Sequence, residues 1–400
     1  MKVSINSGSV NATLEVSEDA CVHQVEAAGA NIIGTGLSSP IALPPLHECV
    51  VPGDNVTIVV DPETPQVVDV INAVWEQFQS NSVTDLHCTL LLPPDNSGNN
   101  WKALVDVLPV SVTGQMVVDV YDPADENQRR YLASSAAGER VYLAHHIIDA
   151  DLIVTIGVIG FDALFGYRGT NSGIYPAFSD VAALKAAEAM RHVELEPDAK
   201  RPLRELTDEV GWLLGTQFTV QVIPNSHGQI AQVLCGAPEE VFNEGREFAT
   251  RHWKLQVEDT FELAVISIPR SLPQLGWKQF GAAVASATRL VEDGGRLAVV
   301  AELPIPDSPA FGMLRRCNEP GDLLKPLRLE PTYDAVELTQ LINALQHCSV
   351  FLLSNLDDSV VEELGMLALS SEGELQRMIA AANSVAVVPS ANYAWANVGV

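Results

Sequence analysis

The sequence predicts an α/β protein of two domains, each with a largely parallel sheet flanked by helices. Its 400 residues are long enough for two hydrophobic cores. β-Branched apolar runs, such as NVTIVVD at 55–61 and LIVTIGVI at 152–159, are typical of buried parallel strands. Segments of helical periodicity lie between such runs, and this alternation favours parallel strands joined by helical crossovers. We place the N-terminal domain at residues 1–254 and the C-terminal domain at residues 255–400.

The N-terminal domain contains three predicted strands before its central loop, and two of them end at Asp61 and Asp122. The segment 125–148 is predicted to be helical with a break at Gly138. A helix is also predicted over 179–190, after the central strand and loop, because alanines dominate it.

The C-terminal domain begins with the strand FELAVISIP at 261–269. The segment from Gly276 is predicted to be a helix that Gly294 and Gly295 close as its C-cap. Further helices are predicted over 334–347 and in SEGELQRMIAAA. No glycine fingerprint of a dinucleotide-binding domain is present, so a nicotinamide-dependent dehydrogenase is disfavoured.

Charge and composition limit the possible partners. The formal net charge is −28, from 51 acidic and 23 basic residues, whereas a nucleic-acid surface needs clustered Lys and Arg. No N-terminal apolar signal region and no membrane-spanning run of about 18 apolar residues is found. The six cysteines are scattered without CxxC spacing. This pattern favours reduced thiols in the cytoplasm over a zinc site or a disulfide scaffold. We therefore expect a cytoplasmic protein with neither nucleic acid nor membrane as its partner.

Most of the function-capable residues lie in the glycine-rich stretch from Asp149 to Asp180. A polar, aromatic, glycine-rich loop at the carboxyl end of a buried strand is where open α/β sheets bind ligands. A long connection that only needs turns is the equally weighted alternative.

Three side chains of this loop suit binding or proton transfer. Arg168 could bind a carboxylate or phosphate through two hydrogen bonds, or it could form an ordinary ion pair. Asp162 could act as a base and Tyr167 as a hydrogen-bond donor. Asp61, at the end of another strand, would approach the same crevice, although helix capping explains it equally well.

Several further segments resemble the nickel-pincer lactate racemase family over nearly the whole chain. These are SSPIALPPL before the strand that ends at Asp61, DADLIVTIG before the glycine-rich loop, the segment RPLRELTDEVGWLLGTQFTVQVI with its hairpin, the stretch from Pro273 to Gly295, and the tail VAVVPSANY. The resemblance implies two α/β domains with the active site in the cleft between them, and a lactate racemase-like activity.

Several positions depart from the family pattern at the site. Ser172 stands where the resemblance implies a cofactor-binding lysine, and Asp162 and Glu188 stand where it implies a catalytic and a nickel-ligating histidine. LLLPPDNSG at 90–98 replaces the loop that supplies the other proton-transfer histidine, and the arginine expected after Asp61 is absent. The loop keeps Gly166 and Gly169 of the pattern, and Asn171 is a further candidate substrate contact. In the C-terminal domain Gln279 is kept as a substrate contact, whereas Ala282 stands where the resemblance implies a lysine.

Two functions therefore remain open. The first is an isomerase of the racemase type that acts on an anionic 2-hydroxy acid with altered catalytic residues. The second is a small-molecule binding or regulatory protein without the cofactor and without racemase activity. In either case we expect a small anionic hydroxy acid or sugar acid as the ligand. The nickel-pincer nucleotide is the cofactor that the resemblance implies, and no protein metal ligands are predicted.

Overall fold

A computed structural model describes residues 1–26, 29, 31–79, 85–95, 101–189, 196–215, 217–269 and 275–399. Met190, Pro273 and residues 96–98, which enter the predictions above, lie outside these ranges. The described residues form strands β1 Lys2–Ser7, β2 Val10–Glu15, β3 Cys21–Val22, β4 Asn55–Val60, β5 His87–Leu92, β6 Val117–Val120, β7 Arg129–Ser134, β8 Arg140–Ala144, β9 Leu152–Val158, β10 Gly160–Asp162, β11 Gly166–Arg168, β12 Phe218–Pro224, β13 Ile230–Gly236, β14 Lys254–Val257, β15 Phe261–Ser267, β16 Val291–Ala301, β17 Ser349–Ser354, β18 Leu367–Ala368, β19 Val385–Val388 and β20 Trp395–Val398.

The same residues form α-helices whose lengths range from one turn to more than four turns. These are α1 Ile32–Leu37, α2 Val67–Gln79, α3 Lys102–Val105, α4 Val110–Thr113, α5 His145–Ile148, α6 Val181–Ala189, α7 Pro202–Leu214, α8 Pro238–Trp253, α9 Gly276–Thr288, α10 Pro309–Leu314, α11 Leu324–Leu329, α12 Ala335–His347, α13 Asp358–Glu363 and α14 Glu372–Ala381. Within the described ranges, no helix has both the length and the apolarity needed to cross a membrane.

The chain divides into two compact units. Unit 1 comprises residues 1–27, 225–229 and 250–400, and unit 2 comprises residues 28–224 and 230–249. The predicted division after residue 254 differs from this arrangement because the N-terminal segment packs with the C-terminal one. Strand β3, from the N-terminal segment, pairs with β19, from the C-terminal segment, so both segments contribute strands to one sheet.

Unit 2 is built on a six-stranded sheet in the order β13-β12-β9-β4-β5-β6. The five strands from β12 to β6 are parallel, and β13 adds to the edge as the antiparallel arm of a hairpin. Every residue of β9 is buried, as expected for a central strand covered on both faces. Because β4 and β9 are neighbours, the loops that follow them leave the sheet side by side.

Unit 1 contains a second six-stranded sheet, in the order β18-β17-β16-β15-β19-β3, and all its pairings are parallel. The hairpin of β1 and β2 covers one face of this sheet. Its alternating burial places Ile5 and Leu14 in a core with Val265 and Val300 of the sheet and Leu375 of α14. The predicted α/β class with largely parallel sheets is therefore confirmed.

The helix predicted over 125–148 is wrong for most of its length. Residues 129–144 form an antiparallel hairpin of β7 and β8, and Tyr131 and Tyr142 are cross-strand partners with ring centroids 5.8 Å apart. Gly138 adopts a left-handed φ of 82° in the turn. Aromatic and β-branched residues on both sides of a left-handed glycine favour a hairpin, so the glycine marks its turn and not a break in a helix.

The predicted C-cap at Gly294 and Gly295 is also wrong. Helix α9 ends at Thr288, and both glycines lie inside β16. The ladder between β15 and β16 shifts register beside them, and Gly294 has a φ of 76°. The glycine pair therefore forms a bulge in a strand. A glycine pair a few residues after a helix is expected in either role, so the sequence alone did not separate a bulge from a helix cap.

Candidate functional site

The candidate site begins at Asp61, the first residue after β4. Its main-chain N–H donates to the carbonyl of Ile156 in β9, at 2.8 Å, which continues the sheet by one residue. Its Oδ1 accepts from the N–H of Glu63 at 2.9 Å, and its carbonyl accepts from the hydroxyl of Thr64 at 2.6 Å. Asp61 thus closes a tight turn at the strand end, and α2 begins only at Val67.

Arg168 reaches this turn from the loop that follows β9. Its Nη1 lies 2.9 Å from Oε2 of Glu63 and 3.8 Å from Oδ2 of Asp61. The side chains of Arg168 and Glu63 are 12% and 6% exposed, so this ion pair is largely removed from water. The structure therefore brings Asp61 and Arg168 together, as the ends of neighbouring parallel strands allow.

The cluster of Asp61, Glu63 and Arg168 carries a formal charge of −1. A buried guanidinium is costly to desolvate, and the adjacent carboxylate offsets that cost. The Glu63 carboxylate also fixes the orientation of a group that has five N–H donors in one plane. The cluster therefore holds the Arg168 side chain in place, and the nearer of its two carboxylates is that of Glu63.

Asp162 lies in the turn between β10 and β11. Its Oδ1 accepts hydrogen bonds from the main-chain N–H groups of Leu164 at 2.7 Å and Phe165 at 3.0 Å. A carboxylate used in this way stabilises the three-residue connection of the hairpin. Asp162, predicted to act as a base, thus stabilises a turn in this structure.

Tyr167 is 3% exposed, and its ring packs on Phe161 with centroids 5.0 Å apart. The two residues are opposite each other in the ladder of β10 and β11. The guanidinium of Arg246, on α8, lies 6.0 Å from the Tyr167 ring centroid. Tyr167 therefore forms the apolar inner face of the loop hairpin.

The backbone after the hairpin is held by its own polar groups. Gly169 has a φ of 127°, and its N–H donates to Oγ of Ser172 at 2.7 Å while the Ser172 hydroxyl donates to the Gly169 carbonyl at 3.2 Å. The next N–H, of Thr170, donates to Oε1 of the buried Gln221 in β12 at 3.1 Å. Gly166 also has a positive φ, 75°, and a Cβ there would meet the carbonyl of Pro197 at 2.2 Å.

Asn171 lies between the loop and α7. Its Nδ2 donates to Oδ1 of Asp208 at 3.4 Å, whereas its buried Oδ1 has no hydrogen-bond partner among the described residues. Gly211, one turn further along α7, leaves room for the amide, since a Cβ there would be 2.3 Å from the Asn171 Cγ. Asn171, predicted as a substrate contact, thus packs against α7, and its Oδ1 has no hydrogen-bond partner among the described residues.

Sequence analysis missed two charged residues of the site. Glu63 holds Arg168, and its position two residues beyond a strand end is the signal that could have suggested it. Arg204 on α7 donates to the carbonyls of Tyr167 and Gly169 at 3.4 Å each and forms an ion pair with Asp208. The four-residue spacing of Arg204 and Asp208 on a helix predicts their ion pair, but it does not predict the hydrogen bonds from Arg204 to the loop carbonyls.

The remaining predicted residues lie elsewhere. Gln279 is in unit 1, on the first turn of α9, where it is 4% exposed and its Oε1 lacks a hydrogen-bond partner among the described residues. Glu188 lies near the end of α6 and is half-buried. Tyr175 follows the loop, and burial, with Glu139 and Asp180 nearby, raises the pKa of its phenol to about 12, so that it stays protonated at neutral pH.

These residues do not fit a nickel-pincer nucleotide anchored through a lysine. The hydroxyl of Ser172 is used within the loop by both main-chain groups of Gly169, and a hydroxyl cannot take the place of an amine in the linkage. The described ranges also contain no group of three or more His, Cys, Asp or Glu residues placed to hold a metal ion. We therefore derive no step of the chemistry through that cofactor.

Unit 2 thus has a buried ion-pair cluster at the carboxyl ends of its parallel strands, the edge where α/β sheets commonly bind ligands. Residues 1–196 match the family model of the lactate racemase N-terminal domain. Over these residues, just under half of the chain, the sequence is similar to the lactate racemase N-terminal domain.

Solved structures support the same assignment of the fold. The lactate racemase apoprotein from Thermoanaerobacterium thermosaccharolyticum is similar with a TM-score of 0.77 and 15% identity, over 99% of this chain and 100% of that chain. A structural-genomics target protein from Thermotoga maritima is similar with a TM-score of 0.66 and 11% identity, over 94% of this chain and 99% of that chain. A search of curated proteins gives no significant match.

Proposed function

We propose that this lactate racemase-like protein binds a small anionic hydroxy acid or sugar acid at the carboxyl edge of the unit 2 sheet. The observation that carries the proposal is the Arg168 guanidinium, which Glu63 holds at the junction of β4 and β9. Arginine is suited to planar recognition of a carboxylate through two parallel hydrogen bonds. The name of the matching domain, which refers to lactate, gives the class of ligand.

The Glu63 contact favours binding because it reduces the cost of ordering the arginine. A long side chain that is already fixed loses little conformational entropy when a ligand arrives. The 12% of the Arg168 side chain that is exposed is the part that a ligand carboxylate would contact. The second carboxylate, of Asp61, limits affinity for anions, so we expect weak binding, at micromolar to millimolar concentration.

We propose further that the protein binds this ligand without lysine-anchored nickel-pincer chemistry. Three loop side chains that could have taken part in chemistry serve the loop itself: Asp162 caps a turn, Tyr167 packs on Phe161, and Ser172 binds Gly169. A binding or regulatory protein therefore fits the site better than a racemase of the ordinary type.

An isomerase with altered catalytic residues is the second candidate. The observation that favours it is the position of Asp61, whose carboxylate lies beside Arg168 and is 21% exposed. If a ligand carboxylate contacts Arg168, a hydroxyl on the adjacent carbon comes close to Asp61, which would accept its proton while a bound hydride-accepting cofactor takes the hydride of that carbon and returns it to either face. In this version Asp61, and not Asp162, is the base.

The test combines ligand binding with a check for the cofactor. The protein is purified without oxygen after co-expression with the enzymes that make the nickel-pincer nucleotide, and its intact mass and nickel content are measured. We expect the unmodified mass and no stoichiometric nickel. A covalent mass increase localised to Ser172 would overturn this part of the proposal.

Calorimetry with a panel of hydroxy acids and sugar acids then tests the site. The double variant Arg168→Met/Glu63→Leu removes the guanidinium together with its buried counter-charge, and we expect it to lose binding at least tenfold. The matched control Arg315→Met/Glu363→Leu removes an ion pair of unit 1 and should bind normally. Equal affinity in both double variants would show that the ligand does not use Arg168. Turnover of any bound acid, lost in Asp61→Asn, would favour the isomerase.

A further inference from the structure

Unit 1 contains a cavity of about 500 Å³ at the opposite edge of its sheet from the strand ends where ligands usually bind. The first residues of β17, Ser349 and Val350, and the first residue of β18, Leu367, contribute to its wall. We call it the amino-edge pocket. Its volume is within the range of sites for small organic molecules, about 300–1,000 Å³.

The amino-edge pocket is partly apolar. Its walls include the side chains of Leu314, Leu345, Val350 and Leu367. Leu367 is 48% exposed and Leu345 is half-buried, which leaves part of their surfaces open to a ligand, whereas Leu314 and Val350 are only 2% and 1% exposed. A hydrocarbon or aromatic group of a ligand would therefore find apolar contacts there.

The charge of the pocket is negative. Its lining contains the carboxylates of Glu362 and Glu363 and no Lys, Arg or His. Glu363 forms an ion pair with Arg315, with Oε2 2.6 Å from Nη2. Glu362 is exposed and makes no ion pair with any residue that the structure describes. One carboxylate is thus left to attract a cation.

Helix ends add to this negative potential. The thirteen-residue helix α12 ends against the pocket, which Leu345 and Cys348 line. The carbonyl groups of the last turn of a helix carry a partial negative charge that favours a cation, and the effect is confined to that turn. The shorter helices α10 and α13 also end there, through Leu314 and Glu363.

The two cysteines of the pocket favour an organic cation over a soft metal ion. Burial raises the pKa of the Cys348 thiol to about 11, so it remains protonated at neutral pH. The Cys317 thiol donates to the carbonyl of Glu319 at 3.1 Å. A soft metal ion binds cysteine as the thiolate, whereas an ammonium group needs only acceptor oxygens.

We propose that the amino-edge pocket binds a primary amine that carries an apolar body, with its ammonium group on Glu362 and its body against the accessible side chains of Leu345 and Leu367. This proposal is independent of the ligand proposed for unit 2. The two sites belong to different units and prefer ligands of opposite charge.

The test uses the full chain and three probes of one shape: 2-phenylethylammonium, 2-phenylethanol and phenylacetate. Calorimetry or ligand-observed NMR should detect binding of the ammonium probe, with the alcohol at least fivefold weaker and the carboxylate weakest. Glu362→Gln should weaken the ammonium probe about fivefold to tenfold, the usual effect of losing a charge-assisted contact at a partly open site. Glu292→Gln, an exposed carboxylate of β16 outside the pocket, is the matched control and should have no effect.

Alkylation of cysteine gives a second readout that needs no variant. The ammonium probe should slow alkylation of Cys317, measured by peptide mass spectrometry, and should leave Cys49, a half-buried cysteine of unit 2, unaffected. Equal binding of all three probes, no effect of Glu362→Gln, or no protection of Cys317 would each overturn the proposal.

Discussion

The side-chain amide of Asn171 lies against the backbone of Gly211, so that a Cβ at Gly211 would be 2.3 Å from the Asn171 Cγ. This contact joins the loop after β9 to the middle of α7. Because Gly211 lies inside a helix, where glycine costs about 0.5–1 kcal/mol relative to alanine, its small size has a packing reason.

Gly211→Ala should therefore destabilise the protein by about 1–3 kcal/mol in urea unfolding, although alanine is the better helix former. Adding Asn171→Ala should remove the clash and recover most of this loss. Gly173→Ala is the control, since a Cβ there meets nothing within 4 Å. A stabilising effect of Gly211→Ala alone would contradict this account of the contact.

Arg168→Ala should destabilise by about 3–5 kcal/mol, because it removes the guanidinium that lies 2.9 Å from the buried Glu63 carboxylate. Arg168→Met/Glu63→Leu should be close to the wild-type protein in stability, since both charges are removed together. A double-mutant cycle by urea unfolding measures the coupling. Additive losses in the two single variants would mean that the pair is not coupled.

Tyr121→Phe should be neutral or should stabilise the protein by up to about 1 kcal/mol. The Tyr121 hydroxyl is buried in the unit 2 core and has no hydrogen-bond partner among the described residues. Burial raises the pKa of this phenol to about 12, in agreement with a poorly solvated hydroxyl, and removing an unsatisfied polar group abolishes its desolvation cost. Thermal unfolding measures the change, and a loss above 1 kcal/mol would show that the hydroxyl is satisfied.

The protein should lose stability as the pH falls below about 6.5, partly through His23. Burial lowers the pKa of this histidine, whose Nε2 lies 2.8 Å from the carbonyl of His252 and whose ring lies 5.8 Å from that of Trp253. The unfolded chain therefore takes up the proton first, so stability is complete above about pH 6.5 and declines towards the lower native pKa. His23→Phe, which keeps a ring against Trp253, should reduce the slope of unfolding free energy between pH 7 and 5. Identical slopes would contradict this role.

Gly138→Val should destabilise by about 1–2 kcal/mol, whereas Gly138→Asn should cost less. The residue adopts a φ of 82° in the β7–β8 turn, and a Cβ there meets no neighbour. The effect would thus come from backbone conformation alone, and asparagine tolerates the left-handed region better than a β-branched residue. Thermal unfolding of the two variants, compared with the wild type, measures it.

The parallel sheets could be predicted because buried strands such as β9 are continuous apolar runs that periodicity identifies. The β7–β8 hairpin could not, since the short segment around Gly138 contains residues that suit both a helix and a strand. The pairing between β3 and β19 could not be predicted either, because two residues give no signal of a partner 365 residues away.

The proximity of the candidate site residues could be predicted, but most of their contacts could not. The glycine-rich loop and Asp61 do lie together at neighbouring strand ends, as the rule for parallel sheets requires. That Glu63 would take the guanidinium of Arg168, and that Ser172 would bind its own loop backbone, depend on side-chain directions in irregular chain. Spacing along the sequence does not determine those directions.

The entry of β3 into the unit 1 sheet has a consequence for synthesis on the ribosome. Strand β3 leaves the ribosome long before its partner strand β19, which lies near the other end of the unit 1 segments. Unit 2 can complete its sheet as soon as residue 249 has emerged, since domains fold as units during translation. The buried face of the β1–β2 hairpin therefore stays uncovered until the strands of the unit 1 sheet that it packs on have been made.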